Sequence, residues 1–191
     1  MKTLNTIAFV LSLATIFTSC SNDRDTTPVS EEELITTITA EFTPEGGGTP
    51  ITLKYKDLDR DGFNDDPATI SGTFAKNTIY NGVVTFENES VNPAVDITEE
   101  ILAEAEEHQI FYEKTGTLND FTYSPNADNF DANGKPVGLK SVFTTTGAAT
   151  GDLIITLIHL PKKSEPGVSS GDITNAGGTT DAQAIFPIAV E

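Results

Sequence analysis

The chain has 191 residues, a formal net charge of −18 and a hydrophobic fraction of 37%, with one cysteine and no tryptophan. Nucleic-acid binding and electrostatic binding to anionic lipid headgroups both need a basic surface, so 11 basic against 29 acidic side chains argue against either partner. Such a chain tolerates cationic partners such as Ca²⁺. A single cysteine cannot form an intramolecular disulfide, so the fold has to be stabilised by its core.

The N-terminal segment has the pattern of an export signal. Lys2 gives a short positive region, an apolar stretch runs from Leu4 to Phe17, and Thr18-Ser19 precede the only cysteine, Cys20. The apolar run is too short to span a bilayer. The pattern resembles the lipobox of bacterial lipoproteins, in which the cysteine after the cleavage site accepts a diacylglyceryl group. We therefore expect residues 1–19 to be a lipoprotein signal peptide and Cys20 to be lipidated. An ordinary secretory signal with an incidental cysteine is the alternative.

A polar stretch follows the lipidation site. Residues 20–33 have the composition of a disordered tether. The short acidic tract from Asp23 to Asp25 resembles the surface-export signal of Bacteroidota lipoproteins. Asp25-Thr26-Thr27 resembles the O-glycosylation site of that phylum, which makes Thr26 a candidate for modification. We therefore expect a lipid anchor in the outer membrane, with the cell surface favoured over the periplasmic face.

From Leu34 onward, apolar and polar residues alternate with the period of two that is typical of half-buried strands. Candidate strands cover residues 34–42, 51–56, 69–75, 78–87, 109–113, 118–124, 139–146, 153–160 and 182–190. Turn-forming residues separate them, which favours an all-β antiparallel β-sandwich, immunoglobulin-like or Greek-key, with about nine strands. We expect a single domain over residues 34–191. The run from Leu153 to Ile158 is apolar on both faces and predicts a central strand.

One segment, residues 96–107, has helical rather than strand periodicity. Asp96 and Glu99 have the spacing of a capping box. One narrow apolar face is shared by Ile97, Ile101, Leu102 and Ala105. The sequence therefore predicts one short helix, of roughly two to three turns, inserted between strands.

The acidic loop from Asp57 to Asp66 places alternate carboxylates before a glycine, Gly62. This is the pattern of the Asp-x-Asp-x-Asp-Gly loops that bind Ca²⁺ in EF-hand, dockerin and thrombospondin type 3 repeats. The candidate ligands are Asp57, Asp59, Asp61 and Asp65. The closing acidic position falls on Ala68, which has no ligand atom. We predict a structural Ca²⁺ loop, the alternative being a solvated acidic hairpin loop.

A second acidic loop covers residues 128–134. Asp128, Asp131 and Asn133 carry oxygen atoms suited to a cation, but their spacing is looser. Asn133-Gly134 is a strong turn dipeptide, so a hairpin turn is the favoured interpretation.

The two histidines occupy the ends of predicted strands. His108 follows a glutamate-rich helix end, and His159 lies near the end of the predicted central strand. If these two strand ends meet, the pair together with a glutamate could bind a transition-metal ion, or clamp a haem iron. The alternative is a pair of polar strand residues with ordinary hydrogen bonds.

No catalytic motif stands out. A Gly-x-Ser-x-Gly elbow and a phosphate-binding glycine loop before a helix are both missing, and acylation would block Cys20 as a nucleophile. The 29 acidic residues leave open the possibility of a carboxylate pair that hydrolyses a polysaccharide. However, the chain has no tryptophan and only four tyrosines to stack on sugars. We therefore expect a protein without enzymatic activity.

Several stretches carry a resemblance that spans most of residues 34–190. They are the Thr-rich first hairpin, Asp57-Leu58-Asp59-Arg60-Asp61-Gly62, Asn77 to Gly82, Asn88-Glu89-Ser90, His108 to Tyr112, and Gly171 to Gly178. Together they resemble a group of short Bacteroidota lipoproteins, mostly from flavobacteria, which are often labelled type 1 periplasmic-binding-fold superfamily proteins. That fold is a two-lobed α/β architecture of roughly twice this length. The strands here follow one another directly, so the residues themselves favour an all-β fold. The resemblance implies no particular activity.

These observations predict a non-enzymatic lipoprotein of the outer membrane. The N-terminal lipid is expected to anchor the protein in the membrane. Its expected function is to bind a ligand for an outer-membrane transporter or to adhere to an extracellular ligand. One alternative is a metal or haem carrier that uses His108 and His159. Another is a polysaccharide-acting hydrolase.

Overall fold

The computed structural model describes residues 34–59 and 67–191. Within these ranges the chain forms ten strands, one α-helix and three short 3₁₀ turns. The strands and the helix are β1 (Thr37–Pro44), β2 (Ile51–Lys56), β3 (Thr69–Ile70), β4 (Ile79–Asn88), β5 (Val95–Asp96), α1 (Thr98–Ala103), β6 (His108–Lys114), β7 (Phe121–Tyr123), β8 (Lys140–Thr144), β9 (Ala149–His159) and β10 (Thr179–Val190).

Seven of these strands form the larger sheet. Their order is β3-β2-β1-β4-β8-β7, with β5 paired to β4, and all of these pairs are antiparallel. In β1, Ile38 and Phe42 are buried and Glu41 is exposed, as the period of two predicts. The predicted all-β antiparallel sandwich is confirmed.

Three strands form the smaller sheet, in the antiparallel order β10-β9-β6. The central position of β9 agrees with its double-sided apolar pattern. On one face its side chains join the main core: Leu153, Ile155 and Leu157. On the other face Ile158 packs with Phe111, Val168 and Ala176 in a second, smaller cluster. Both faces of this strand are therefore covered.

The main core draws side chains from both sheets. Phe74 is fully buried in it, with edge-on ring contacts to Phe42 at 5.4 Å and Phe143 at 5.3 Å. Its backbone pairs with the end of β10, since the amide of Phe74 donates to the carbonyl of Ala189. The strand predicted over residues 69–75 is therefore broken: only Thr69–Ile70 pairs with β2, and Phe74 turns to the other sheet.

The helix is shorter than the sequence predicted. It covers Thr98–Ala103, and residues 104–107 form turns, because the chain has to enter β6 at His108. The capping-box expectation is wrong, since the carboxylate of Asp96 accepts a hydrogen bond from the amide of Thr98 at 2.8 Å and the N-cap is Ile97. Leu102, expected on the apolar face, is 46% exposed.

The tenth strand is the two-residue β5, of which the sequence assigned only Asp96 to the helix and left Val95 outside any element. In the part of the chain described, no helix combines the length and apolar character needed to cross a membrane.

Candidate metal centre

His108 and His159 lie side by side at one end of the smaller sheet. His108 is the first residue of β6 and His159 the last residue of β9, and the two are directly opposite each other in the antiparallel ladder. Their rings stack with centroids 4.9 Å apart and planes 12° from parallel. The two strand ends therefore meet, as the hypothesis of a shared site requires.

A third polar group reaches this pair from a β-bulge in β10. Thr180 pairs with Ile158 and Ala182 pairs with Leu157, so Asp181 is the extra residue between two consecutive ladder positions. A bulge of this kind redirects a side chain relative to the regular alternation of the strand. The Asp181 Oδ2 atom lies 3.8 Å from His108 Nε2.

These three residues bring one ligand atom each to within 4.8 Å of one another. Imidazole nitrogen and carboxylate oxygen suit Zn²⁺ and the neighbouring divalent ions. In a tetrahedral zinc site the ligand atoms lie about 3.3 Å apart, so the widest separation here would contract by roughly 1.5 Å around an ion.

The protein orients and shelters His108. Its side chain is 1% exposed, and its Nδ1 atom lies 3.3 Å from the carbonyl oxygen of Glu104. Nδ1 donates to this carbonyl in the tautomer that carries its proton there, and in that tautomer Nε2, on the side of Asp181, has the lone pair that can bind a metal. Burial lowers the pKa of His108 below its ordinary value, and the hydrogen bond to Glu104 opposes this effect. Burial therefore favours the neutral imidazole, which is the form that coordinates a metal.

His159 faces a second carboxylate. Its side chain is 14% exposed, and its Nε2 atom lies 3.6 Å from Oε2 of Glu107. Glu107 belongs to the turn between α1 and β6, and its carbonyl accepts a hydrogen bond of 2.6 Å from the amide of Leu160. The residues next to the two histidines are thus tied together through the backbone.

The backbone before β10 passes very close to His159. Gly178 has φ +72°, and a Cβ atom added to it would lie 2.2 Å from the carbonyl oxygen of His159. Glycine is the residue that tolerates both this conformation and this approach. Gly178 therefore lets the chain enter β10 beside the histidine pair.

A buried ion pair fixes the surroundings of the α1–β6 turn. Lys163 Nζ lies 3.1 Å from Asp131 Oδ2 and donates to the carbonyl of Ala105 at 2.5 Å. Burial lowers the pKa of Lys163, while its hydrogen bond to Asp131 opposes the shift. The other oxygen of Asp131 accepts from the amides of Asn133 and Lys135, so the second acidic loop is a turn, as its sequence favoured.

The predicted Ca²⁺ loop is described only in part. Asp57 donates through its amide to the carbonyl of Thr36, and Asp59 is exposed. Asp61 and Asp65 lie outside the described residues, so the Ca²⁺ site stays a prediction. The signal peptide, the tether, the lipidation site Cys20 and the glycosylation candidate Thr26 also lie outside them.

The sequence joined the two histidines only on the condition that their strand ends meet, and it did not indicate Asp181. It expected a glutamate as the third ligand, and it placed the start of the last strand at Ala182. The acidic residue just before that start was the one available signal. Nothing in the local pattern indicates the bulge that turns Asp181 towards His108.

No family model, curated protein or solved structure matches this chain.

Proposed function

We propose that this chain is a lipid-anchored extracytoplasmic protein that binds one divalent transition-metal ion, best suited to Zn²⁺, through His108, His159 and Asp181. The observation that carries this proposal is the convergence of three ligand atoms within 4.8 Å at the ends of three strands. Metal binding is the form of ligand capture that this geometry supports best. It fits an accessory protein that collects an ion for an outer-membrane transporter.

The electrostatic setting favours a cation over an ordinary hydrogen-bonded pair. Two nearly parallel imidazole rings at 4.9 Å repel each other if both are protonated, so a bound cation is better served by the neutral pair. The adjoining turn also carries acidic side chains at Glu104, Glu106 and Glu107. Such a cluster raises the local concentration of divalent cations.

A small ion suits this pair better than a haem does. A haem iron with two axial histidines needs one imidazole on each face of the macrocycle. Here the rings of His108 and His159 stack directly on each other, on neighbouring strands of one sheet. The ligand atoms of these two residues and Asp181 lie within 4.8 Å of one another, which suits a single small ion instead.

Calorimetric titration of the full chain, purified in detergent and stripped with a chelator, tests the metal site. We expect one equivalent of Zn²⁺ to bind, and we expect His159→Gln and Asp181→Asn each to weaken binding by at least about tenfold. Asp152→Asn is the matched control, because it removes the same charge from β9 near its other end. Absence of Zn²⁺ binding by the wild-type chain would overturn the proposal, as would equal affinities of Asp181→Asn and Asp152→Asn.

The membrane address rests on the N-terminal pattern around Cys20 and has its own test. In a lipoprotein-producing bacterial host, we expect metabolic labelling with a fatty acid to mark the wild-type chain and to fail for Cys20→Ala. Protease accessibility on intact cells then separates the cell surface from the periplasmic face. Fatty-acid labelling of the Cys20→Ala chain would refute the proposal that Cys20 carries the lipid anchor.

A further inference from the structure

Glu107 stands at the mouth of the candidate metal centre. Its Oε2 atom lies 3.6 Å from His159 Nε2, and its side chain is 55% exposed. The side chains of the other three residues are no more than 14% exposed. The exposed Glu107 carboxylate therefore lies beside one of the three ligands and outside the set whose ligand atoms lie within 4.8 Å of one another.

We infer that Glu107 is the fourth ligand of the ion and controls its exchange with solvent, an inference that rests on the metal site proposed above. In this arrangement His108, His159 and Asp181 form a sheltered base, and Glu107 closes over the ion from outside. The ion is then captured and released through the Glu107 side. This is the behaviour of a carrier site rather than of a permanent structural site.

The charges balance when Glu107 joins the set. Two neutral imidazoles and one carboxylate leave a divalent ion with one uncompensated positive charge, and a partly buried charge without compensation is costly. A second carboxylate makes the complex neutral. The carboxylate of Glu107 faces Nε2 of His159, the less buried ring of the pair.

The position of Glu107 in the fold allows it to move while the base stays fixed. It belongs to the turn of residues 104–107, outside the β-ladder, whereas His108 and His159 are ladder residues and Asp181 sits in a bulge between ladder positions. Its backbone is nevertheless anchored through the hydrogen bond from Leu160. The side chain can therefore swing between solvent and ion without displacement of the strands.

The test compares Glu107→Gln with Glu106→Gln in the full chain. Both residues are exposed and adjacent, so each variant removes one negative charge from the same turn without disturbing the core. We measure Zn²⁺ affinity by calorimetry and Zn²⁺ release by stopped-flow mixing with a chelator. We expect Glu107→Gln to weaken affinity and accelerate release by at least about tenfold, and Glu106→Gln to change either by less than about threefold.

A Co²⁺ spectrum gives a readout of coordination that charge alone does not move. The ligand-field bands of bound Co²⁺ should change in Glu107→Gln and stay at wild-type positions in Glu106→Gln. Wild-type Zn²⁺ binding with identical behaviour of the two variants would overturn the role of Glu107 and leave the three-residue site standing. Failure of the wild-type chain to bind Zn²⁺ would instead overturn the proposed function.

Discussion

Replacing Gly178 with alanine tests how strongly the histidine site depends on one backbone position. A Cβ atom at this residue would lie 2.2 Å from the carbonyl oxygen of His159 and 2.8 Å from Cγ2 of Ile158. The carbonyl belongs to the β9 backbone and cannot rotate away as a flexible side chain would. The substitution therefore has to move the start of β10, the end of β9, or both.

The expected loss of stability has two parts. Alanine at φ +72° costs about 1–2 kcal/mol, of which its lower entropy in the unfolded chain returns about 0.4–1 kcal/mol. Displacement of packed backbone adds about 1–3 kcal/mol. We expect Gly178→Ala to lower the free energy of unfolding by about 1–4.6 kcal/mol in total, with a central value of about 3 kcal/mol.

Gly134 provides a matched control for the conformational part. It has φ +70°, almost the same as Gly178, but a Cβ atom there would meet nothing within 4 Å. We expect Gly134→Ala to cost about 1 kcal/mol, so the difference between the variants isolates the collision with His159.

Urea unfolding followed by far-ultraviolet circular dichroism measures both losses, and Zn²⁺ titration of the folded variants measures the effect on the site. Gly178→Ala should bind Zn²⁺ more weakly than Gly134→Ala, because the clash displaces the backbone of a ligand. Equal losses of stability in the two variants would refute the collision argument. Equal Zn²⁺ affinities would refute its connection to the site.

Three further predictions concern the ion pairs and the acidic loop. Lys163→Met should cost about 3–5 kcal/mol in urea unfolding, because it leaves the Asp131 carboxylate buried without its partner, and adding Asp131→Asn should recover part of that loss; a single-variant loss below about 1 kcal/mol would contradict this. Hydrogen bonds from Lys56 and Lys54 lower the pKa of the Glu89 carboxyl from 4.5 to about 2. The ionised carboxylate therefore stabilises the fold above pH 4.5, and this stabilisation is lost as the pH falls towards 2. Glu89→Gln should therefore cost about 1 kcal/mol at pH 7, a surface value because the lysine side chains are 32% and 43% exposed, and a gap of the same size at pH 2 would contradict the assignment. Ca²⁺ should raise the melting temperature of the wild-type chain, and a chelator should reverse the rise. The Asp61→Asn variant should show no such rise. If the melting temperature of the wild-type chain does not rise, the predicted Ca²⁺ loop is refuted.

The strands were predictable because burial in a sandwich selects every second side chain. Ile38 and Phe42 in β1 follow this rule, and the double-sided pattern of Leu153 to Ile158 identified the central strand. The helix was less predictable at its ends. Asp96 and Glu99 have capping-box spacing, but pairing of Val95–Asp96 with β4 removes Asp96 from the helix.

The histidine pair was predictable as a conditional statement. His108 precedes one predicted apolar strand, and His159 lies near the end of another. Whether the two histidines share a site therefore depended on whether these two strand ends lie next to each other. Register answers that question, and register depends on the pairing of distant segments rather than on either sequence alone. Only the structure places the two residues opposite each other.

Asp181 shows why the third ligand needed the structure. In a regular strand, alternate residues share a face, and inward positions run from Val190 back through Ala184 and Ala182. Continued without interruption, that alternation would direct Asp181 away from the core. The bulge inserts one residue against β9 and turns its carboxylate towards His108, so the ligand set exists because the ladder is irregular at one point.

The same irregularity explains why a metal site suits this end of the sheet. His108, His159 and Asp181 come from three segments far apart in the sequence, and all three lie where their strands begin or end. Strand ends have fewer ladder partners than strand centres, and a chain with a single cysteine cannot join them by an internal disulfide. One ion bound by all three side chains would cross-link them, with a stabilisation that grows with the free ion concentration. In the proposed site, the adjoining turn also supplies Glu107, an exposed carboxylate that would allow the ion to exchange with solvent.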